Sequence, residues 1–377
     1  MKRILIFSLA YYPRVGGAEV SIKEITDRIA SDDIEFHMVT LRFSLQDAPE
    51  EKIGNVFVHR IGWGTLYFSK ILFIPFSVGK AIQLHRKYKF DASWAMMSYM
   101  LLPIIQFNWF VGLPYALTLQ EGDSYEHMFK RLRILPFMPL LAGGFYKATV
   151  VQVISTYLGI WARRWGFKGP LEIIPNGVDI QKFVGEKVPH EGTVLITTSR
   201  LVSKNAIDDI MRAIALLPQN ISLVVVGDGP NKTKLKALAQ AKGVMGRIVW
   251  EGYVDHAQLP ALLHVADIFV RPSRSEGMGN SFIEAMASGL PVIATQEGGI
   301  ADFLFDSKRN PDKPTTGWAV DKDSPAQIAE AVKDILAHPQ QVKKVVENAC
   351  AMVKEKYDWD LIAKDMREKV FKRVIQV

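Results

Sequence analysis

Residues 273–295 read SRSEGMGNSFIEAMASGLPVIAT, and the order of residue types in this stretch decides the fold. Two glutamates, Glu276 and Glu284, stand at either end of seven residues. Gly277 and Gly279 follow the first, and a helical pattern of Phe282, Ile283, Met286 and Ala287 carries the second. Gly289 ends that helix, Pro291 stops its continuation, and PVIAT reads as a buried strand. A glycine-rich loop that opens a helix leaves first-turn N–H groups without intrahelical partners. Those from Gly277 through Met278 and Gly279 to Asn280 suit a phosphate. The paired carboxylates add acceptors for the hydroxyls of a sugar and a ribose. An isolated glutamate pair at this spacing reads as a solvated pair near a helix start. The glycines and the EAMASGLPVIAT continuation point instead to a site.

Outward from this stretch, short apolar runs alternate with amphipathic ones. RILIFSL precedes a helix from about Glu19 to Ala30, and FHMVTL follows; the rhythm recurs at VVQVIS, TVLITTS, SLVVVGDG, ADIFVRP and PVIAT. Such alternation specifies parallel α/β layers. A chain of 377 residues exceeds one ordinary core and fits two domains. The Pro-, Gly- and charge-rich stretch IPNGVDIQKFVGEKVPHEGT marks a junction near residue 180. The expected domains are therefore 1–180 and 181–359. The closing YDWDLIAKDMREKVFKRV places Trp359, Ile362, Met366 and Val370 at helical spacing, a core-facing stripe.

Composition excludes several classes. With 49% hydrophobic and 23% charged residues the chain is globular. One cysteine, Cys350, rules out an intrachain disulfide and suits a reducing, cytoplasmic compartment. The apolar run Ile4–Ala10 lacks a cleavage site and reads as a first strand rather than a signal peptide. Residues 92–120 carry no charge, which raises a membrane-span question. Pro103, Gly112 and Pro114 divide them into strand, helix and strand. The positive charge is uneven: residues 1–178 carry 20 Lys and Arg against 14 Asp and Glu. That basic half suits an anionic substrate or lipid surface. Nucleic acid is disfavoured, because no zinc cluster, aromatic ribonucleoprotein motif or basic heptad appears.

Further constellations follow strands. YYPRVGGAE, residues 11–19, puts Gly16 and Gly17 where backbone can approach a ligand closely, or where the chain simply turns. TTSRLVSKN, residues 197–205, ends a strand with Arg200 and Lys204, a planar fork and a mobile point charge suited to a diphosphate. VVVGDGPNKTKL lacks the third glycine of a dinucleotide fingerprint, which disfavours a nicotinamide enzyme.

The stretch 273–295 closely resembles the donor-binding signature of retaining glycosyltransferases of family 4. PRVGGAE, SRLVSKN, GDGP, IPNGVD and IVWEGYVDHAQLPALLHVADIFVRPS are similar to other stretches of that family. The resemblance is dense over residues 150–377 and sparse between 40 and 150. It implies the GT-B fold, two Rossmann-like domains facing across a cleft, with the last helix (360–377) bracing the first. It also implies transfer of a sugar from a nucleoside-diphosphate sugar, with retention of configuration and no metal or other cofactor. Glu276 would then meet the transferred sugar, Glu284 the ribose, and Arg200 and Lys204 the diphosphate. The backbone around Tyr253 and Val254 would lie beside the base, and Gly16 and Gly17 would face the donor phosphates. The expected acceptor is a glycan or lipid-linked glycan. A nucleotide-sugar epimerase, a phosphorylase and a silent scaffold stay open at this point.

Two departures matter. The family's commonest spacing puts the lysine one place later, where this chain has Asn205. The histidine expected after YALTLQEGD is replaced near Gln120, which bonds a hydroxyl but does not titrate near neutrality. Glu121 and Asp123 stand beside it, either as acceptor-side groups or as the start of the next helix. Finally, YFSKILFIPF (67–76) and KRLRILPFMPLL (130–141) mix apolar side chains with Lys70, Lys130, Arg131 and Arg133. They suit peripheral contact with the inner face of an anionic membrane, or packing inside the first domain.

Overall fold

The computed structural model describes residues 1–64, 68–130 and 134–376. They form two compact units, one of Met1–Asn176 with Trp359–Val377 and one of Gly177–Asp358.

The first unit is built on eight strands: β1 (Lys2–Phe7), β2 (Ile34–Leu41), β3 (Glu50–Ile53), β4 (Val56–Ile61), β5 (Ala92–Met96), β6 (Tyr115–Leu119), β7 (Val150–Val153) and β8 (Leu171–Ile173). Their order across the sheet is β3-β4-β2-β1-β5-β6-β7-β8. All neighbours are parallel except β3, which runs antiparallel to β4 along one edge. Strands buried on both faces need continuous apolar runs, which is why Ile4–Phe7 and Phe36–Leu41 show so little alternation. The uncharged stretch 92–120 resolves into β5, the helix Leu101–Val111 and β6. Among the described residues no helix is long and apolar enough to cross a membrane.

The chain end returns to this unit. Trp359, Ile362, Met366, Val370, Phe371 and Val374 join one core with Ile4, Phe36 and Trp94, and Phe371 meets the rings of Phe36 and Trp94 edge-on at 5.6 and 5.0 Å. The helical stripe from Trp359 to Val374 is thus buried against the first strands of the chain.

The second unit holds β9 (Thr193–Thr198), β10 (Ile221–Val226), β11 (Ile248–Gly252), β12 (Ile268–Arg271), β13 (Val292–Ala294) and β14 (Trp318–Ala319). The order is β11-β10-β9-β12-β13-β14 and every pairing is parallel. The chain runs from β9 outward to β10 and β11, then crosses to the other side of β9 with β12. The strand order therefore reverses between β9 and β12, the position at whose carboxyl ends open α/β sheets bind their ligands. In the first unit the same reversal falls between β1 and β5.

Candidate functional site

Both loops at the reversal in the second unit carry residues singled out in the sequence. β9 ends at Thr198 and leads into Arg200 and Lys204; β12 ends at Arg271 and leads through Glu276 into the helix Asn280–Ala287. Gly279 caps that helix with φ of 86°, and a β-carbon there would stand 2.6 Å from the Phe282 ring. Only glycine permits this entry, and Phe282 N–H closes the first turn on the Gly279 carbonyl at 3.2 Å. Gly289 has φ of 76° and closes the helix as its sequence indicates.

The two loops are laced together from below. Arg271 pairs with the Glu276 carboxylate and donates to Ser281 Oγ at 2.6 Å and to Asn205 Oδ1 at 3.2 Å. Its guanidinium carbon lies 5.1 Å from the centre of the Phe282 ring. Asn205 in turn donates from Nδ2 to the Arg200 carbonyl at 2.6 Å. Position 205, where the resembling family most often carries lysine, is therefore a buried bracket. Arg274 adds a second tie: its N–H donates to the Lys204 carbonyl at 2.7 Å, and its side chain bonds Asp208 and Asp209. Arg271, Asn205 and Arg274 were not identified from sequence. The available signal was an arginine ending an otherwise apolar strand, ADIFVR.

Glu276 and Glu284 are both buried, at 8% exposure each. Glu276 also accepts from its neighbour Gly277 N–H at 3.1 Å, and its carbonyl accepts from Gly299 N–H at 3.1 Å. Glu284 pairs with His256 Nε2 at 2.9 Å, and the His256 ring meets Phe183 edge-on. His256 belongs to the segment after β11 that includes Tyr253 and Val254, so the second glutamate and the expected base-side segment are in contact. Tyr253 itself is exposed. The side chain of Arg200 is exposed, while Met278 is buried beneath its loop. The hydroxyls of Thr197, Thr198, Ser199 and Ser273 and Arg271 Nε are buried without a hydrogen-bond partner in the protein. This concentration of unsatisfied groups at the ends of β9 and β12 is unusual for a folded core.

GDGP is structural. A β-carbon on Gly227, whose φ is 129°, would stand 2.0 Å from the Ser199 carbonyl oxygen, and one on Gly229 2.5 Å from that of Leu201. Both glycines let the β10 loop press against the loop that carries Arg200.

The remaining candidates lie in the first unit. Gly16 and Gly17 begin the helix Gly17–Asp27 after β1, with Gly16 N–H donating to Glu19 at 2.8 Å. Gln120 is committed within the unit: its amide donates to Ser21 Oγ at 3.0 Å and exchanges bonds with Asn176 at 3.1 and 3.3 Å. Asn176 of IPNGVD is thus architectural. Glu121 is turned inward at 1% exposure, accepting from Ser98 N–H at 2.6 Å, and burial pushes its carboxyl above the usual range. Asp123 stands just before the short helix Tyr125–Phe129, 3.9 Å from His127. Among the described residues no group of acids, histidines or cysteine is arranged to hold a metal ion.

Two doubly wound parallel sheets, one closed by the returning chain end, are the architecture of GT-B glycosyltransferases. Solved structures agree: a sucrose-phosphate synthase from Thermosynechococcus elongatus superposes with a TM-score of 0.86 over all of both chains at 20% identity. HepE from Anabaena, in complex with UDP-glucose, superposes at 0.79 over 99% of this chain and all of the other, at 18% identity. The model of glycosyl transferases group 1 matches residues 179–352 and that of Glycosyltransferase Family 4 matches residues 15–182. The chain belongs to glycosyltransferase family 4. Among curated relatives, a GDP-mannose-dependent alpha-(1-6)-phosphatidylinositol monomannoside mannosyltransferase of Mycobacterium tuberculosis is 29% identical over 57% of this chain and 59% of its own length. A putative teichuronic acid biosynthesis glycosyltransferase of Bacillus subtilis is 30% identical over 55% and 53%. The aligned part thus spans little more than half of these relatives.

Proposed function

We propose that the protein is a retaining glycosyltransferase that moves a sugar from a nucleoside-diphosphate sugar to a glycan or lipid-linked glycan. The observation that carries this reading is that Arg200 and Lys204 follow β9 while Glu276 and Glu284 follow β12, the two paired strands between which the order of the second sheet reverses. Glu284 accepts from the ribose hydroxyls, displacing or sharing its bond to His256, and Glu276 orients the transferred sugar. As the sugar–phosphate bond breaks, negative charge grows on the departing diphosphate. The Arg200 fork, Lys204 and the N–H groups from Gly277 to Asn280 meet that charge, and groups aimed at developing charge lower the barrier most. The Gln120 amide, where the family has a histidine, is engaged with Ser21 and Asn176, which leaves Asp123, beside His127, as the acceptor-side group in this reading. No metal is needed to neutralise the diphosphate.

The test is calorimetric titration with a panel of nucleotide sugars. One donor should bind saturably, and Glu284→Ala should weaken it by about 1.5–3 kcal/mol, the worth of hydrogen bonds to a charged group. Unchanged affinity would remove Glu284 from the donor site. Product analysis separates transfer from epimerisation, which yields no glycosylated acceptor, and from phosphorolysis, which requires inorganic phosphate.

A lipid-linked acceptor would bring the enzyme to an anionic leaflet, as a peripheral protein of the inner membrane face. The helix Ser69–Tyr88 contains no acidic residue, and Phe68, Ile71, Leu72 and Phe76 along its first half are exposed. Trp63 extends this apolar surface, its ring edge-on to Phe76 at 5.2 Å. Apolar side chains on a cationic helix suit the headgroup boundary. Of the second stretch read as basic and apolar, Leu135 and Phe137 are exposed, while Arg131 and Arg133, like Tyr67 of the first, lie outside the described residues. Flotation should show binding to anionic liposomes that weakens with salt and falls in Ile71→Ser/Phe76→Ser. Protein that stays in solution at low salt would refute membrane docking.

A further inference from the structure

The first unit holds a cavity lined by none of the residues assigned above to sugar transfer. It has a volume of about 540 Å³ and lies between the β3–β4 edge of the sheet and the second half of the helix Ser69–Tyr88. Glu50, His59, Lys80, Arg86, Lys87 and Tyr88 carry its chemistry. Three cations and one carboxylate thus line it, Lys80 paired with Glu50 and Arg86 and Lys87 exposed at its rim. Arg86 has no ion-pair partner among the described residues, and Lys87 lies over the Tyr88 ring, 4.8 Å from its centre. Solvated cations on an outward helix face are ordinary; cations gathered around a concavity of ligand size, floored by a buried imidazole, are not.

That floor is rigidly built. His59 is 5% exposed and His37 is 2% exposed. Their rings stack within 6° of parallel, and His59 Nε2 lies 3.1 Å from His37 Nδ1. A continuous chain runs through them: Arg3 bonds Glu35 at 2.7 Å, Glu35 meets His37 Nε2 at 3.2 Å, His59 Nδ1 meets Glu50 at 3.1 Å, and Glu50 pairs with Lys80 at 2.8 Å. Phe57, Tyr88 and Phe90 enclose the His37 ring. Glu50 and Lys80 are therefore held in place before any ligand arrives, which reduces the ordering cost of binding.

We propose that this cavity binds a phosphate monoester carried on a small polyol. Arg86 and Lys87 clamp the phosphate oxygens, Lys80 faces them from the same helix, and Glu50 accepts from polyol hydroxyls. The planar guanidinium supplies paired donors and the lysines supply point charges, a set suited to a dianion. Two sources share this chemistry, a soluble phosphorylated polyol and the headgroup of an anionic lipid. The second is favoured by continuity, since the same helix presents its exposed apolar half at its other end.

The whole chain should be titrated calorimetrically with glycerol 3-phosphate and, separately, mixed with phosphatidylcholine vesicles with and without phosphatidylinositol 4-phosphate, whose headgroup carries both a phosphate monoester and free hydroxyls. Wild type should bind one of these saturably. Arg86→Ser/Lys87→Ser, two exposed positions whose loss leaves the unfolding midpoint unchanged, should weaken that binding by about tenfold or more. Loss confined to the vesicles assigns the site to a lipid headgroup; loss with the soluble ester assigns it to a metabolite. No saturable binding of either probe, or equal binding by the double variant, would overturn the proposal. Neither arm reads glycosyl transfer, and phosphatidylglycerol vesicles of equal charge separate the site from the general membrane docking proposed above: an equal loss on both vesicles reports docking alone and overturns the site.

Discussion

Replacing Arg271 with methionine should destabilise the second unit by about 3–5 kcal/mol, the cost of leaving a buried charge without its partner. Arg271 and Glu276 side chains are only 9% and 10% exposed. With the guanidinium gone, the Glu276 carboxylate keeps only the bond from Gly277, and Ser281 Oγ and Asn205 Oδ1 each lose a donor. Methionine fills the arginine stem and keeps the contact with Phe282, so cavity formation adds little. Glu276→Gln should cost about 1–2 kcal/mol, because the amide oxygen still accepts from Arg271. In the double variant neither residue is left as an unpaired charge, and the cycle should show about 1–3 kcal/mol of coupling. Arg271→Lys should not restore stability, since one ammonium cannot reach three acceptors in the fixed geometry of a guanidinium. The assay is urea unfolding, with the transition of the second unit resolved from that of the first. A cost below about 1 kcal/mol for the single variant, or additive effects in the cycle, would refute the view of Arg271 as a charge-compensating bracket.

Arg200→Ala should lower kcat more than it weakens donor binding, because the charge it meets grows as the bond breaks; a change in donor affinity alone would make Arg200 a ground-state clamp. Gly279→Ala should destabilise the second unit by about 1–3 kcal/mol, from a strained φ and contact with Phe282 and Glu276, and a thermal midpoint equal to wild type would contradict this. Burial holds His37 down at about 4, against an ordinary value of about 6.5 in the unfolded chain. The unfolded state therefore binds the extra proton between these values. Stability of the first unit should be full above about pH 6.5 and decline by up to about 3 kcal/mol as pH falls toward 4. Urea midpoints that stay flat across this window would show that His37 does not resist protonation.

Most of the second unit was legible because its signals are local. Gly279, Gly289 and the alternation of apolar runs each act through their own backbone, so position in the sequence reports conformation directly. The strand–helix–strand reading of residues 92–120 held for the same reason, as Pro103, Gly112 and Pro114 punctuate it. Arg271 and Asn205 escaped because their meaning is spatial: 66 positions separate them, and only the reversal of strand order places β9 beside β12. Gln120 was legible as a departure but not as a structural amide, since its partners Ser21 and Asn176 come from distant segments. His59 falls in the stretch where resemblance to the family is sparse, and His37 just before it. Nothing in FHMVTL or VFVHRI announces that β2 and β4 pair with the two rings stacked.

The central claim is transfer with retention, and the anomeric configuration of the product tests it most directly. Wild-type protein incubated with its donor and a lipid-linked or glycan acceptor should yield a glycoside whose anomeric configuration, read by NMR at the earliest detectable conversion, matches that of the donor. A product of opposite configuration, or nucleoside diphosphate release without any new glycosidic bond, would contradict the account.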